Sequence, residues 1–588
     1  MITAETILAR APTGDMQAAD VKVATYPDRK RCVNKAKDML RDRQVWERRW
    51  KRIRDYQLPY IGEFEDTQDS TNPARRRDDK MLQGEAWQSA QVFSAGIQSG
   101  LTPPSRQWFK FAFSDPELNK DVGATKVLDQ RQEIMQAVLA GSNFYNSVHS
   151  CYLELPFGQA PLAIFPDAKK GVRFQPLTIG TYALEVGGDG TVQRLLRKYR
   201  LTLEQVVECF GRDALPERYK NQYEVNRLDG KKFTVYWLVE PNTDREPGKL
   251  GRLNMPYRSM YWMKGANDNE WLYVGGFEEF PVPVARYIVT GMDAYGKGPG
   301  WFAEGDVNSL QVMEKDKLLG IEMGVKPPVA VTQDVMNYGG VNIVPGGLTK
   351  LSDANSAVRP LFQVGLDIDH VSAEIQLTKE SIRRAYAADL FLMLDNIDNG
   401  QMTAREIIER QQEKLQQLGP VVQRLQDEFL NSILERVYNI LDRSGVFPPI
   451  PDDVMEMLSG QVMKIDYVSP LAQAQKISGL VNIEQGVGFT LQIAQAWPDA
   501  VKVIDPLATV EKYLEILGAP AAMRRSKEEV QQMIQAEQEA MQQAQQEQQA
   551  MQMAQALPGI TQAAKNATEA ANDGNPALAD WLGMSGAT

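Results

Sequence analysis

Asp395, Asn399, Gly400 and Glu406 fall at positions 1, 5, 6 and 12 of a loop between two helical patterns, the spacing of an EF-hand calcium site. The third position is Ile397, which cannot ligate. Glu406 has another role, because Thr403-Ala404-Arg405-Glu406 is a capping box. In that motif Thr403 accepts from the N–H of Glu406, and the Glu406 side chain reaches back to the N–H of Thr403. No metal is expected there. The run Gly296-Lys297-Gly298-Pro299-Gly300 has the look of a phosphate cradle, yet no G-x-x-x-x-G-K-[ST] occurs in the chain. With only His149 and His370 and no G-x-S-x-G, histidine-based hydrolysis has no support. No catalytic residue, no enzymatic activity and no cofactor are expected.

The elements around that loop are more telling than its chemistry. Before it, Ile368, Val371, Ile375, Ile382, Tyr386 and Leu390 recur at helical spacing; after it, Ile408, Leu415, Leu418, Val422, Leu425, Phe429, Ile433 and Val437 do the same. Two amphipathic helices thus meet at a polar tip carrying Asn396, Asn399 and Gln401, as in a mechanical part. Gly419-Pro420 sits inside the second pattern, where proline removes a hydrogen bond and predicts a bend at 416–420.

Composition fits a globular protein of two to four domains, with 588 residues, 43% hydrophobic and 24% charged. No run reaches the ~18 apolar residues that span a bilayer, and the first residues lack the n- and h-regions of a signal peptide. Cys32, Cys151 and Cys209 are odd in number and far apart, so neither a disulfide framework nor a zinc site is indicated. A reducing cytoplasm is the expectation. The net charge of −11 argues against gripping nucleic acid over the bulk surface, because such affinity comes from neutralising phosphates. A protein that surrounds DNA and lets it slide is compatible with it. Against this acidic background, 29–54 holds twelve basic residues with Trp46 and Trp50 interleaved. The simpler reading is a helix with its tryptophans inward and its basic face solvated; the other is a surface for nucleic acid or an acidic partner.

Along the chain, 30–56 and 80–101 read as helices, and 160–290 as short strands between turns. Strands are expected at 182–186, 191–196, 232–239 and 271–274, the first pair joined through Gly187-Gly188-Asp189-Gly190. A helix follows to about Gly324, then a Gly-rich, β-like stretch over 329–366. From Ser526 to Ala556 there is no proline, glycine or aromatic, and twelve glutamines lie between Gln531 and Gln555. Met533, Ile534, Met541, Ala544 and Met551 form a thin seam near heptad spacing. Such a helix is stable only beside partners; otherwise the segment is a disordered Gln-rich tail. The fold class expected is α+β, mainly helical.

Several motifs together carry a family resemblance. They are Gly100-Leu101-Thr102-Pro103-Pro104 with Trp108-Phe109, Ser142-Asn143-Phe144-Tyr145, Phe157-Gly158, and the stretch from Gly298-Pro299-Gly300 to Pro327-Pro328. The most specific is Met402-Thr403-Ala404-Arg405-Glu406 followed by Leu418-Gly419-Pro420-Val421-Val422-Gln423-Arg424. Over about 30–520 the chain resembles the portal, or head-to-tail connector, proteins of short-tailed double-stranded DNA bacteriophages. The resemblance implies a ring of about twelve copies at one capsid vertex of the virion, made in the host cytoplasm, with no membrane partner. Double-stranded DNA passes through it without sequence preference.

Its implied partners are the major capsid protein, the terminase motor and later the tail adaptor. The implied parts are a flexible N-terminus 1–29, a wing over 30–300 and 404–466 that includes the long kinked helix, and stem helices 301–326 and 367–392. A clip over 327–366, a tunnel loop over 393–403, a crown over 467–525, a barrel helix over 526–556 and a disordered tail over 557–588 complete it. In that frame Asn396, Asn399 and Gln401 face DNA. Lys379, Arg383 and Arg384 touch phosphates transiently, or else pair with stem acids such as Glu314 or Asp316 of a neighbour. The rival from another class is a capsid-internal scaffold or core protein, suggested by the Gln-rich helix.

Overall fold

The computed structural model describes residues 27–64, 80–113, 122–225, 230–246, 251–267, 270–326, 329–331, 359–360, 368–395, 418–449, 463–468 and 486–494, with scattered single positions and short runs from 333 to 342 and from 497 to 565. The chain divides into two units, Met1–Asp505 and Pro506–Thr588. In the second, the described positions from Met533 to Gln542 are helical, with Met533 54% and Met541 65% exposed.

The first unit opens with α1 (Arg29–Tyr56), capped by Asp28, whose side chain accepts from the Lys30 N–H. Trp50 and Ile53 are fully buried, so the inward reading of the tryptophans holds for Trp50, with Trp46 partly buried. The basic face is solvated as expected at Lys30, Arg31, Lys37, Arg41, Arg48, Arg49 and Arg52, while other basic residues of α1 are tied down. Arg43 is buried and donates to the carbonyls of Gly180 and Tyr182 at 2.8 and 3.0 Å. Lys35 pairs with Glu185 at 2.6 Å and Lys51 with Glu47 at 3.1 Å.

Beside α1 lies an antiparallel five-stranded sheet in the order β4-β5-β6-β7-β8 (Tyr182–Val186, Val192–Thr202, Lys232–Pro241, Tyr257–Met263 and Tyr273–Phe277). Successive residues point to opposite faces, and the two faces feed two cores. Leu195, Trp237 and Tyr261 join the main core, while Leu196, Leu238, Met260 and Trp262 pack on Cys32, Ala36 and Met39 of α1. The turn between β4 and β5 is the expected glycine turn, with Gly190 at φ 77°.

Helices α2 (Glu85–Leu101), α3 (Val122–Gly141) and α4 (Phe144–Glu154) precede a second antiparallel sheet, β3-β2-β9 (Gly171–Pro176, Gln159–Asp167, Val284–Arg286). Two short helices, α5 (Leu203–Phe210) and α6 (Glu217–Val225), follow β5; α5 begins with a capping box between Thr202 and Gln205. The run Gly296-Lys297-Gly298-Pro299-Gly300 serves packing, not phosphate. A Cβ on Gly296, Gly298 or Gly300 would lie 2.4, 2.1 or 2.8 Å from the carbonyl oxygens of Gly158, Leu155 and Pro156 respectively. Backbone meets backbone there, which only glycine permits.

Next come α7 (Pro299–Phe302), α8 (Glu304–Val325), a two-residue ladder of β10 (Val329–Ala330) with β11 (Arg359–Pro360), and α9 (Ile368–Ala385) with α10 (Ala388–Asp395). The single helix expected over 367–392 is therefore two, broken at Tyr386-Ala387. Residues 418–424 are helical and run without a loop into a π-helical turn, Leu425–Leu430, and then α11 (Asn431–Arg443). Pro420 thus lies inside helix, while residues 416 and 417 of the expected bend are outside the described residues. The irregularity the described chain does show is the π turn, and the Tyr467 hydroxyl lies 3.3 Å from the Gln426 carbonyl and 2.6 Å from Asn431 Oδ1 there. Tyr467 ends β12 (Met463–Tyr467), which pairs antiparallel with β1 (Phe109–Phe113). A boundary between 466 and 467 accordingly cuts through a strand.

At the end of α4, Glu154 is buried and accepts the Ile179 N–H at 2.9 Å. Desolvation, only partly offset by that bond and reinforced by Glu63, pushes its carboxyl up to about 8. Between the ordinary value of 4.5 and about 8, the folded chain keeps a proton that the unfolded chain has released. Stability is therefore full below that window and falls as pH rises through it, by up to about 1.4 kcal/mol per pH unit. Glu154→Gln keeps an acceptor for Ile179 and should flatten this slope in thermal melts from pH 5 to 8.5. A slope identical to that of the unmodified chain would show that Glu154 is ionised throughout.

Candidate functional site

The two helices that fall on the expected stem, α8 and α9, pack against each other. Glu304 and Asp306 open α8, where carboxylates complement the positive end of a helix. Asp306 accepts from the Ser381 hydroxyl of α9 at 2.6 Å. Lys379 stands 3.9 Å from Glu314, which Lys317 also meets at 2.7 Å. Ile375 and Ile382 supply the apolar part of the seam.

The upper end of α9 is locked into the body. Arg383 donates to the buried Glu85 of α2 at 2.6 Å, and that bond raises the guanidinium's pKa further. Tyr386 is fully buried, and its hydroxyl donates to Gln57 Oε1 at 2.6 Å. Gln57 in turn donates through Nε2 to the Gly300 carbonyl at 2.9 Å. One residue later Ala387 takes a left-handed conformation, φ 52°, and is the one non-glycine among the described residues with positive φ. Such a residue commonly ends a helix, although the position usually belongs to glycine. The chain then restarts as α10, whose Phe391 lies over Gly96 of α2. A Cβ on Gly96 would sit 2.1 Å from the Phe391 ring. Phe93 meets the rings of both Tyr386 and Phe391, at 6.5 and 6.3 Å between centroids.

Lys379, Arg383 and Arg384 thus occupy three different settings. Lys379 is mostly covered and leans on Glu314 of its own chain, Arg383 is half-buried against Glu85, and Arg384 is 74% exposed with Glu380 at 3.6 Å. The acid anticipated for Lys379 is present, but the contact lies within one chain. Asn396, Asn399, Gln401, Thr403 and Glu406 lie outside the described residues. Sequence reasoning missed Gln57, Glu85 and Gly96, and nothing in local spacing marks them. Among the described residues no cluster of three His, Cys, Asp or Glu side chains is placed to hold a metal. Likewise no described helix is long and apolar enough to cross a membrane. The three cysteines are buried, and desolvation raises the thiols of Cys32 and Cys209 to about 12 and 11.

Residues 29–524 match the family described as "Bacteriophage head to tail connecting protein". The chain belongs to that family. It is 33% identical over 509 residues to the portal protein of Salmonella phage epsilon15, covering 86% of this chain and 90% of that one. It is 32% identical over 526 residues to a probable portal protein of Bordetella phage BPP-1, covering 87% and 93%. A solved particle, "Virion of native gene transfer agent (GTA) particle", aligns with 74% of this chain and 90% of its own at 11% identity and a TM-score of 0.31, too slight a likeness to bear on the fold. As a head-to-tail connector the protein is a structural component of the virion at the head-tail junction.

Arg383 and Arg384 separate a structural role from an exposed one. Arg383→Ala leaves the carboxylate of Glu85 buried without its partner and should cost about 1–3 kcal/mol in denaturant unfolding. Arg384→Ala should stay within about 0.5 kcal/mol of the unmodified chain. Equal losses for both would mean that the Glu85 contact does not hold α9.

Proposed function

We propose that about twelve copies of this chain form a ring-shaped channel at one capsid vertex, through which double-stranded DNA is packaged, retained and later ejected. The observation that carries this reading is the outward face of the stem pair. Val312 and Leu319 of α8 and Leu377 of α9 are 57, 45 and 59% exposed, although each helix already has its intrachain seam. A stripe of that kind on a helix pair is covered when copies stand side by side. The exposed methionines of the Gln-rich helix have the same need, and side-by-side copies of 526–556 would meet it as a barrel.

In this arrangement α8 and α9 are the stem, 327–366 the clip that docks the terminase motor and then the tail adaptor, and 393–403 the tunnel loop. The body built on 30–300 and 404–466 is the wing, 467–525 the crown, and the rim meets the major capsid protein. Translocation needs many weak contacts and no deep electrostatic well, since a ring of tight phosphate contacts would hold the genome. Asn396, Asn399 and Gln401 suit the loop tip, being polar and uncharged. Arg384, half neutralised by Glu380, suits a passing phosphate better than Arg383, and Lys379 lies between the two.

Deleting 395–400 should leave assembly intact and impair packaging or retention of full-length DNA, measured as the DNA content of purified particles. Full-length genomes in normal yield would remove the loop from the function. Deleting 526–588 should leave rings of unchanged subunit number, because wing and stem carry most of the contact. Monomers from that truncation would assign assembly to the C-terminal helix instead.

A further inference from the structure

Near the start of α8, α1 and α7 build a platform that is packed on the core on one side, through Tyr295 and the Trp301 Nε1 bond to the Phe157 carbonyl, and open on the other. The Trp46 ring meets Trp301 at 5.4 Å and Tyr295 at 5.6 Å between centroids, and the Arg49 guanidinium lies 4.7 Å over the Trp301 ring. Arg49 and Arg52 both reach Glu304, at 2.6 and 2.9 Å, and are still 49 and 58% exposed. Around this platform two apolar side chains stand in solvent. Val45, one turn before Arg49 on the same helix face, is 78% exposed, and Phe302, next to Trp301, is 52% exposed. Arg48 is exposed beside them and has no ion-pair partner among the described residues.

We propose that this patch, Val45, Arg48, Arg49 and Phe302, is a seat for a second copy of the chain, which brings a carboxylate-bearing surface to it. The inference rests on the ring reading and names the side chains through which the body takes part in the copy-to-copy contact. Three features favour that occupant. Apolar and arginine side chains beside an edge-to-face tryptophan pair are the composition of interface hot spots, and Arg49, held over the Trp301 ring, is pre-organised and loses less entropy on docking. The patch adjoins the start of α8 through Glu304, the same helix whose Val312 and Leu319 are left exposed for the proposed neighbour. The chain is −11 overall although α1 is strongly basic, so the remainder is more acidic still and complements the arginines.

The test uses the full chain with Val45→Asp and Phe302→Asp combined, and separately Arg48→Glu, read as assembly mass against protein concentration. Both side chains are exposed, so thermal melts of the dissociated chain should not change. The double variant should need at least about ten-fold more protein to form rings, and Arg48→Glu should weaken assembly most at low salt. Rings forming at the unmodified concentration would overturn the proposal. So would rings of normal stability that no longer attach to capsid shells, which would make the capsid the occupant. A monomeric unmodified chain would instead sink the ring reading itself, and this proposal with it.

Discussion

The attachment of α9 to the body centres on one buried chain of hydrogen bonds, from the Tyr386 hydroxyl through the Gln57 carboxamide to the Gly300 carbonyl. Both side chains are almost entirely removed from water, so an unmade bond there would cost a full desolvation penalty. The chain joins the C-terminal ends of α1 and α9 to the turn that starts α7. It thereby fixes the C-terminal end of α9 to the body beside the start of α8. Arg383 with Glu85, and Arg49 and Arg52 with Glu304, repeat the same attachment with charge. Ala387 follows immediately, and its left-handed backbone is held because Tyr386 before it and Phe391 after it are both packed.

The body uses buried arginine in a comparable way. Arg436 of α11 is enclosed, donates to the Ile164 carbonyl and pairs with Glu279 at 3.0 Å, while desolvation lowers its pKa to about 10. Arg286 of β9 reaches Glu428 of the π turn at 2.7 Å and the Gly190 carbonyl at 2.8 Å. Buried pairs of this kind add little net stability, yet removing one partner is expensive. Their effect is to fix registry between segments far apart in sequence.

What the sequence discloses follows the range of the forces involved. The β4–β5 hairpin and β6 were legible because alternation and glycine turns are local signals, as were the amphipathic stripes of α9 and α11. The break at Tyr386-Ala387 was not, because Ile382, Tyr386 and Leu390 keep their four-residue spacing across it and no glycine or proline marks it. The fate of Arg383 was equally hidden, since its carboxylate partner lies 298 positions away. The basic character of α1 was plain, but its division between buried donors such as Arg43 and exposed ones such as Arg48 depends on a sheet whose strands come much later. The glycines at 296, 298 and 300 looked like a phosphate cradle because close backbone packing and anion binding both require the same missing side chain.

The proposed ring would cover the outward face that the intrachain attachments of α8 and α9 leave exposed at Val312, Leu319 and Leu377. Native mass measurement of the purified full-length chain, joined to end-on images of the same sample, tests it most directly. A closed ring of about twelve copies with a central channel is the outcome the proposed function predicts. A stable monomer, or an open polymer without a fixed subunit number, would contradict it and favour a capsid-internal scaffold.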